Sequence, residues 1–195
     1  MPDSLPPSLR LLTLQSWNEE RWTEVRPIYE ASFPAHIRKP ERIVRRMLER
    51  MDAFLHEGSL GGVPCSMALT GLSTDRRRLI VDYLAVSPDR RESGIGRRTV
   101  EALAQWARET YGVHGLLIEA EADDSEEGRG RVRFWENCGF VSTEYVHHYV
   151  WVPERYRAML LDLQGADVPP ADRLPRDGRA LFAYIEAFHQ SSFAR

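Results

Sequence analysis

Apolar and polar positions along this chain switch between a period of about two and a period of about 3.6, and the period predicts the element. Leu11-Leu12-Thr13-Leu14 predicts a first strand. Asn18 to Ser32 and Pro40 to Met51 carry helical spacing, with a break at Phe33-Pro34 and prolines at their boundaries. Ala53 to His56 and Val63 to Thr70 predict a hairpin around the loop Glu57-Gly58-Ser59-Leu60-Gly61-Gly62. Leu79 to Val86 is apolar and partly β-branched, the pattern of a buried strand. From residue 95 to 111, Ile95, Ala102, Leu103, Trp106 and Ala107 share one helical face, and Gly112 supplies a stop. His114 to Glu121 reads as a strand and Gly128 to Asn137 as a short helix. Phe140 to Trp151 and Met159 to Leu163 read as late strands, and residues 164–177 as a loop rich in Pro, Asp and Gly. Arg179 to Gln190 predicts a last amphipathic helix with Leu181, Phe182, Ile185 and Phe188 as its apolar set. No internal repeat and no long low-complexity segment interrupts this order.

Strand, helix and strand over 79–121 require a crossover, so those two strands should run parallel within a mostly antiparallel sheet. The turn between the first strand and the helix, Arg91-Glu92-Ser93-Gly94-Ile95-Gly96, has two side-chain-free positions and is flanked by Arg90, Arg97 and Arg98. Glycines admit a ligand close to the backbone, and the first N–H groups of a helix have no partner inside it, so the turn suits a phosphate. A tight turn with its arginines facing water is the bland alternative. Two other phosphate motifs fit less well. The dinucleotide fingerprint needs a third glycine where Thr99 stands. The P-loop needs Gly-Lys, and Lys39 is the chain's single lysine.

Two motifs in order carry a family resemblance. Val86-Ser87-Pro88-Asp89-Arg90-Arg91-Glu92-Ser93-Gly94-Ile95-Gly96 resembles the coenzyme A pyrophosphate loop of the GNAT N-acetyltransferase superfamily, which reads Arg/Gln-x-x-Gly-x-Gly/Ala after a strand ending in Leu-Ala-Val. Phe134-Trp135-Glu136-Asn137-Cys138-Gly139-Phe140 is similar to its Phe-Tyr-x-x-x-Gly-Phe segment, and His114 to Glu121 stands where the family's fifth strand belongs. The resemblance covers about residues 11–163 of a chain expected to form one domain, 1–195, with the loop and helix of 164–195 at its end. It implies an α/β fold: a mixed, mostly antiparallel sheet, a parallel strand pair that splays into a V, flanking helices and a C-terminal helix. It implies acetyl-CoA as co-substrate and no metal. The pantetheine arm would lie along 82–86 against Leu84, Ala85 and Val86. The phosphates would meet Arg91, Glu92, Ser93, Gly94, Ile95, Gly96, Arg97 and Arg98, with Trp135 also at the cofactor. The thioester would reach the cleft between Leu84–Val86 and the strand at 116–121. The implied activity is N-acetyl transfer to a primary amine of a small molecule or peptide, by direct attack in a ternary complex. The Phe33-Pro34 break falls where the family's acceptor-gating segment lies.

Such a reaction needs a neutral amine, and a free alkyl ammonium has a pKa near ~10, so a base must take its proton. Glu119 and Glu121 are two apart and face one side of a strand. Asp123, Asp124, Glu126 and Glu127 follow them, a run that usually marks a solvated loop, but Glu119 still belongs to the apolar strand. Asp82 is a further candidate, with a salt-bridged strand residue as its plain reading. The family's tyrosine acid is replaced by Trp135, whose indole donates a hydrogen bond but does not titrate. Tyr145 or Tyr149 could replace it, or the thiolate could leave without direct protonation. A non-catalytic acetyl-CoA-binding sensor is the alternative reading, and a nucleotide-binding domain a third. His147-His148 point to opposite sides and read as surface histidines, and His114 as a strand start in contact with solvent.

Composition narrows the setting. The 195 residues, 43% apolar and 28% charged, are ordinary for a soluble globular chain. No apolar run approaches the ~18 residues of a membrane span, and Met1-Pro2-Asp3-Ser4-Leu5-Pro6-Pro7 has no signal-peptide pattern. Two cysteines without metal spacing fit a reducing cytoplasm. A net charge of −3 argues against a nucleic-acid partner. The preference for Arg over Lys is the usage expected of a protein from a GC-rich bacterial genome. A homodimer is left open.

Overall fold

The computed structural model describes residues 8–150 and 153–194. The chain falls into two compact units, one holding the residues up to Thr70 with Tyr83–Leu103, the other Gly71–Asp82 with Ala104 onward. None of the helices among the described residues is long and apolar enough to cross a membrane.

In the first unit the strands are β1 (Arg10–Leu14), β2 (Ala53–Leu60), β3 (Val63–Leu72) and the end of β4 (Arg78–Val86), in that order along the sheet. Helices α1 (Glu19–Ser32) and α2 (Glu41–Arg50) lie between β1 and β2 in sequence. The Asn18 side chain accepts from the Arg21 N–H and caps α1, while Pro40 stands at the N-cap of α2. The expected six-residue loop at 57–62 is instead a two-residue turn, Gly61-Gly62, with φ of 59° and 83°. Glu57, Gly58 and Ser59 look like turn residues but are claimed by the ladder from β1, whose Arg10 pairs Ser59 and whose Leu12 pairs Glu57. Two consecutive left-handed residues then reverse the chain with the twist a hairpin needs.

His56 on β2 is fully buried. Its Nδ1 bonds Thr13 Oγ1 at 2.9 Å and its Nε2 bonds Thr70 Oγ1 at 2.8 Å. Burial pushes its pKa from 6.5 down to about 3. The unfolded chain therefore binds one proton more than the folded one as pH falls below about 6.5, and stability declines towards pH about 3. Between about pH 7 and about pH 4 this costs on the order of 3 kcal/mol. We expect urea midpoints over that range to fall less steeply for His56→Gln than for the native chain. Parallel slopes would refute the assignment.

In the second unit the order is β4-β5-β8-β6, with β7 also on β8: β5 is Gly115–Glu121, β6 Val141–Ser142, β7 His147–His148 and β8 Arg155–Asp162. β4 and β5 are parallel, paired from Arg78↔Gly115 to Ile80↔Leu117, and β8 runs antiparallel to the whole of β5. Helix α3 (Ile95–Tyr111) contributes its second half here, with α4 (Glu126–Asn137) and α5 (Gly178–Phe193). Ser125 caps α4 by accepting from the Gly128 N–H at 3.0 Å, so the helix starts before the expected Gly128. Glu126 and Glu127 thereby sit in a first turn, where the helix dipole favours acids.

The expected strand from Phe140 to Trp151 is two short ones, and Trp151 lies outside the described residues. From Ser142 to His147 the chain advances five positions while β8 advances three, from Met159 to Tyr156. Two extra residues make a bulge, which ends the ladder and re-aims the side chains after it. β8 starts four residues before the expected Met159: Arg155 and Arg157 are exposed and alternate with Tyr156 and the buried Ala158, the period of two of a strand with one face in solvent. The core of this unit contains Leu116, Leu117, Ile118, Met159, Leu160, Leu181 and Ile185, all at most 4% exposed.

Candidate active site

Two sets of residues carry chemistry, one in each unit. In the first, β4 ends at Val86 and the Ser87 N–H donates to the Cys65 carbonyl at 2.9 Å. After a short turn at Pro88–Arg90 the chain reaches Arg91, which donates to Val86 O at 3.4 Å and Ser32 Oγ at 3.2 Å. Glu92 and Gly94 take positive φ, 62° and 78°, and a Cβ on Gly94 would meet nothing within 4 Å. The first hydrogen bond of α3 runs from the Arg98 N–H to Gly94 O. The N–H groups of Ile95, Gly96 and Arg97 therefore precede the helix's own ladder. Ile95 is buried and anchors the turn. Thr99, at the place of a third glycine, is fully buried, and its hydroxyl bonds Ser66 Oγ at 2.8 Å. It ties α3 to β3, so this helix is seated by a hydroxyl pair and not by a glycine contact. Arg97 pairs with Glu101 at 2.9 Å and Arg90 with Asp89 at 3.3 Å, both in the open. Free N–H groups, an open Gly94 and exposed arginines fit a phosphate chain.

In the same unit Tyr83 holds the segment after the Phe33-Pro34 break. Its hydroxyl donates to Ile37 O at 2.7 Å and accepts from the Lys39 N–H at 3.1 Å. Tyr29 and Phe33 meet its ring edge-on at 5.0 and 4.9 Å.

The second set forms where the β4–β5 ladder ends. Asp82 and Glu119 stand two residues beyond the last pair of the ladder, Ile80↔Leu117, on the same sides of their strands. His189 of α5 reaches both: its Nε2 is 2.8 Å from Glu119 Oε1 and its Nδ1 is 3.9 Å from Asp82 Oδ1. The first is a hydrogen bond, the second an ion-pair distance. Tyr149 donates its hydroxyl to Glu119 Oε2 at 2.6 Å. The Asp82 side chain is 4% exposed and that of Glu119 23%.

Burial, then the charge and hydrogen bond of Glu119, hold the Tyr149 phenol far above its ordinary value. It therefore acts as a donor to Glu119 and holds its proton tightly. Tyr156, 5.5 Å from the Tyr149 ring, is pushed up to about 12 by burial and then by Glu119, Glu154 and Glu121. Both phenols sit in a negative field.

The remaining candidates are placed differently. Glu121 shares a strand side with Glu119 but pairs with Arg131 at 2.7 Å, and Glu127 meets the same arginine at 3.0 Å. The Trp135 ring packs edge-on between Phe134 and Phe140, at 5.0 Å from each. Tyr145 is covered by the Arg179 guanidinium at 4.6 Å and packs on Phe182. His147 is not a surface residue: it stacks on Phe182 at 4.4 Å, with Nε2 3.5 Å from Glu186. His114 accepts at Nδ1 from Arg77, at 3.1 Å, and adjoins Gln164. Sequence reasoning missed His189 and Glu186. His189 lies seven residues after Phe182, on its stripe of the last helix, and that spacing was the available signal. No group of three or more His, Cys, Asp or Glu among the described residues is arranged to hold a metal ion.

Comparisons with known proteins bear on this pair of features. A GNAT-family protein from Desulfovibrio desulfuricans superposes with a TM-score of 0.64 at 18% identity, covering 80% of this chain and 100% of the other. The ribosomal-protein-S18-alanine N-acetyltransferase of Escherichia coli gives 0.56 at 17% identity, covering 82% and 99%. A spermidine/spermine N-acetyltransferase from Vibrio cholerae gives 0.60 at 12% identity, covering 80% and 93%. At these identities the likeness shows the fold: a mixed sheet with a parallel β4–β5 pair and flanking helices. A search of curated proteins gives no match. The sequence model of the Acetyltransferase (GNAT) family matches residues 14–140, most of the chain, and takes in the turn before α3, Asp82 and Glu119. The chain belongs to the GNAT acetyltransferase family and is an N-acetyltransferase of that class.

Proposed function

We propose that the chain transfers the acetyl group of acetyl-CoA to a primary amine of a small molecule or peptide, by direct attack in a ternary complex. The observation that carries the reading is Glu119, a partly buried carboxylate fixed by Tyr149 and His189 at the end of the parallel ladder. Acetyl-CoA is held by backbone groups of Leu84, Ala85 and Val86 and, through its phosphates, by the N–H groups and arginines of 91–98. A backbone N–H at Leu84 or Ala85 stabilises the oxyanion. Glu119 takes one proton from the ammonium, the freed nitrogen lone pair attacks the thioester carbon to form the amide bond, the C–S bond breaks and coenzyme A leaves as thiolate, and the second proton on the nitrogen is lost to water. Such a thiolate, with a pKa near ~8.5 by analogy with cysteine, leaves without help from an acid. Trp135 needs no chemical part in this scheme.

The acceptor is a cationic amine with no carboxylate beside it: a polyamine, an amino sugar or a peptide N-terminus. Asp82, Glu119 and Glu186 are the acids of the cluster, and the Tyr149 phenol, raised first by burial, is raised further by Glu119 and by Glu186. Glu121 and Glu127 contribute less than their number suggests, because Arg131 pairs with both. Two proteins of similar fold are by name acetyltransferases of spermidine and spermine and of a ribosomal-protein alanine, both amine acceptors. An acceptor carboxylate ~6 Å from one acid costs roughly 1–3 kcal/mol, about 10–100-fold in kcat/KM. Thiol release from acetyl-CoA over a panel of amines tests this. Polyamines or amino sugars should lead, and a leading α-amino acid would overturn the acceptor class.

A further inference from the structure

We propose that His189 is a positioning residue for the transfer: it fixes the Glu119 carboxylate in the orientation that accepts the amine proton. The inference rests on the reading of Glu119 as the base. It makes α5, which lies outside the segment matched by the family model, part of the reaction machinery.

The geometry is specific. The two oxygens of Glu119 meet two different donors, Tyr149 at Oε2 and His189 Nε2 at Oε1, so rotating the carboxylate breaks both bonds. An ionised carboxylate only accepts, so both contacts are donors aimed at it and together they set its plane. His189 is in turn held from behind. Asp82 lies 3.9 Å from its Nδ1, and the ring stands between the two acids. Its helix has a fixed register. Asp177 caps α5 through the Ala180 N–H at 2.9 Å. At Gly178 a Cβ would come within 2.6 Å of Tyr145 Cβ, so the helix start sits hard on the bulge. Leu181, Phe182, Ile185 and Phe188 bury the face that continues to His189. In the reaction the proton passes from the amine to Glu119 and His189 keeps its own, acting through Glu119 and not on the substrate.

The two ring nitrogens give a selective test. A Gln side chain places its amide nitrogen near Nε2, and Asn places it near Nδ1. The full-length chain would be assayed by thiol release from acetyl-CoA with the best amine of the panel. His189→Phe should lower kcat roughly 10–100-fold, the scale of a misplaced catalytic group. KM for the amine and Kd for acetyl-CoA should stay within about threefold. His189→Gln should recover kcat to within about fivefold of the native chain, and His189→Asn should not. If the Phe variant fails to fold, the contrast between Gln and Asn carries the test. Native kcat in His189→Phe, Gln and Asn equally active, or a change in KM alone would overturn the proposal. Glu119→Gln is run alongside. If it is inactive while His189→Phe is fully active, only the role of His189 falls. If both are active, or no amine is turned over at all, the reading beneath it falls as well.

Discussion

Glu119→Gln should lose about 10²–10⁴-fold in kcat while binding acetyl-CoA as tightly as the native chain, because general-base catalysis has that size. The exchange keeps the length and shape of the side chain. Its amide oxygen can still accept from Tyr149, whose hydroxyl lies 2.6 Å from Glu119 Oε2 in the native chain. What it removes is the basic oxygen. It also turns an NH₂ towards His189 Nε2, now 2.8 Å from Oε1, which one ring tautomer accommodates as an acceptor. The melting temperature should therefore move little. Steady-state kinetics in both substrates, with calorimetry for acetyl-CoA, decides the point. Activity near native levels would remove Glu119 from the mechanism.

The second large effect is expected at the helix start. Gly96 lies in the first turn of α3, among the N–H groups that precede the helix's own ladder. Gly96→Val adds a Cβ and two methyls where the phosphates would pack, and Val is a somewhat better helix former than Gly. The fold should thus be unharmed or slightly steadier while acetyl-CoA affinity drops roughly 10–100-fold, about 1.4–2.8 kcal/mol. Loss of binding without loss of stability separates a binding role from a packing role. Unchanged affinity in a folded variant would contradict the phosphate assignment.

Much of the fold is legible where periodicity persists over many residues. α1, α2, β4 and α3 fall where their apolar spacing puts them, and the Gly-x-Gly turn lies between strand and helix as its residues require. Local chemistry misleads where a partner outside the window decides. Glu57-Gly58-Ser59 has turn composition, yet β1, some forty residues earlier, holds it as strand. The bulge after Ser142 depends on the register of β8, which no residue between 143 and 146 encodes alone. The site divides the same way. Alternation puts Glu119 and Glu121 on one strand side, but only the fold supplies Arg131 to one of them and Tyr149 and His189 to the other. His189 is 70 residues from Glu119, too far for any spacing rule, although its place on the stripe of Phe182 marks it as inward-facing.

The central claim is direct transfer of the acetyl group from acetyl-CoA to an amine. It is tested most directly by following where that group goes. The native chain is mixed with acetyl-CoA, then with a polyamine, while free thiol is titrated and both protein and amine are examined by mass spectrometry. The account predicts no acetyl group on the protein before the amine arrives, then one free thiol for each new amide on a primary nitrogen of the polyamine. Acetyl-CoA that binds and is never consumed, or an acetylated side chain that forms before the amine is added, would contradict it.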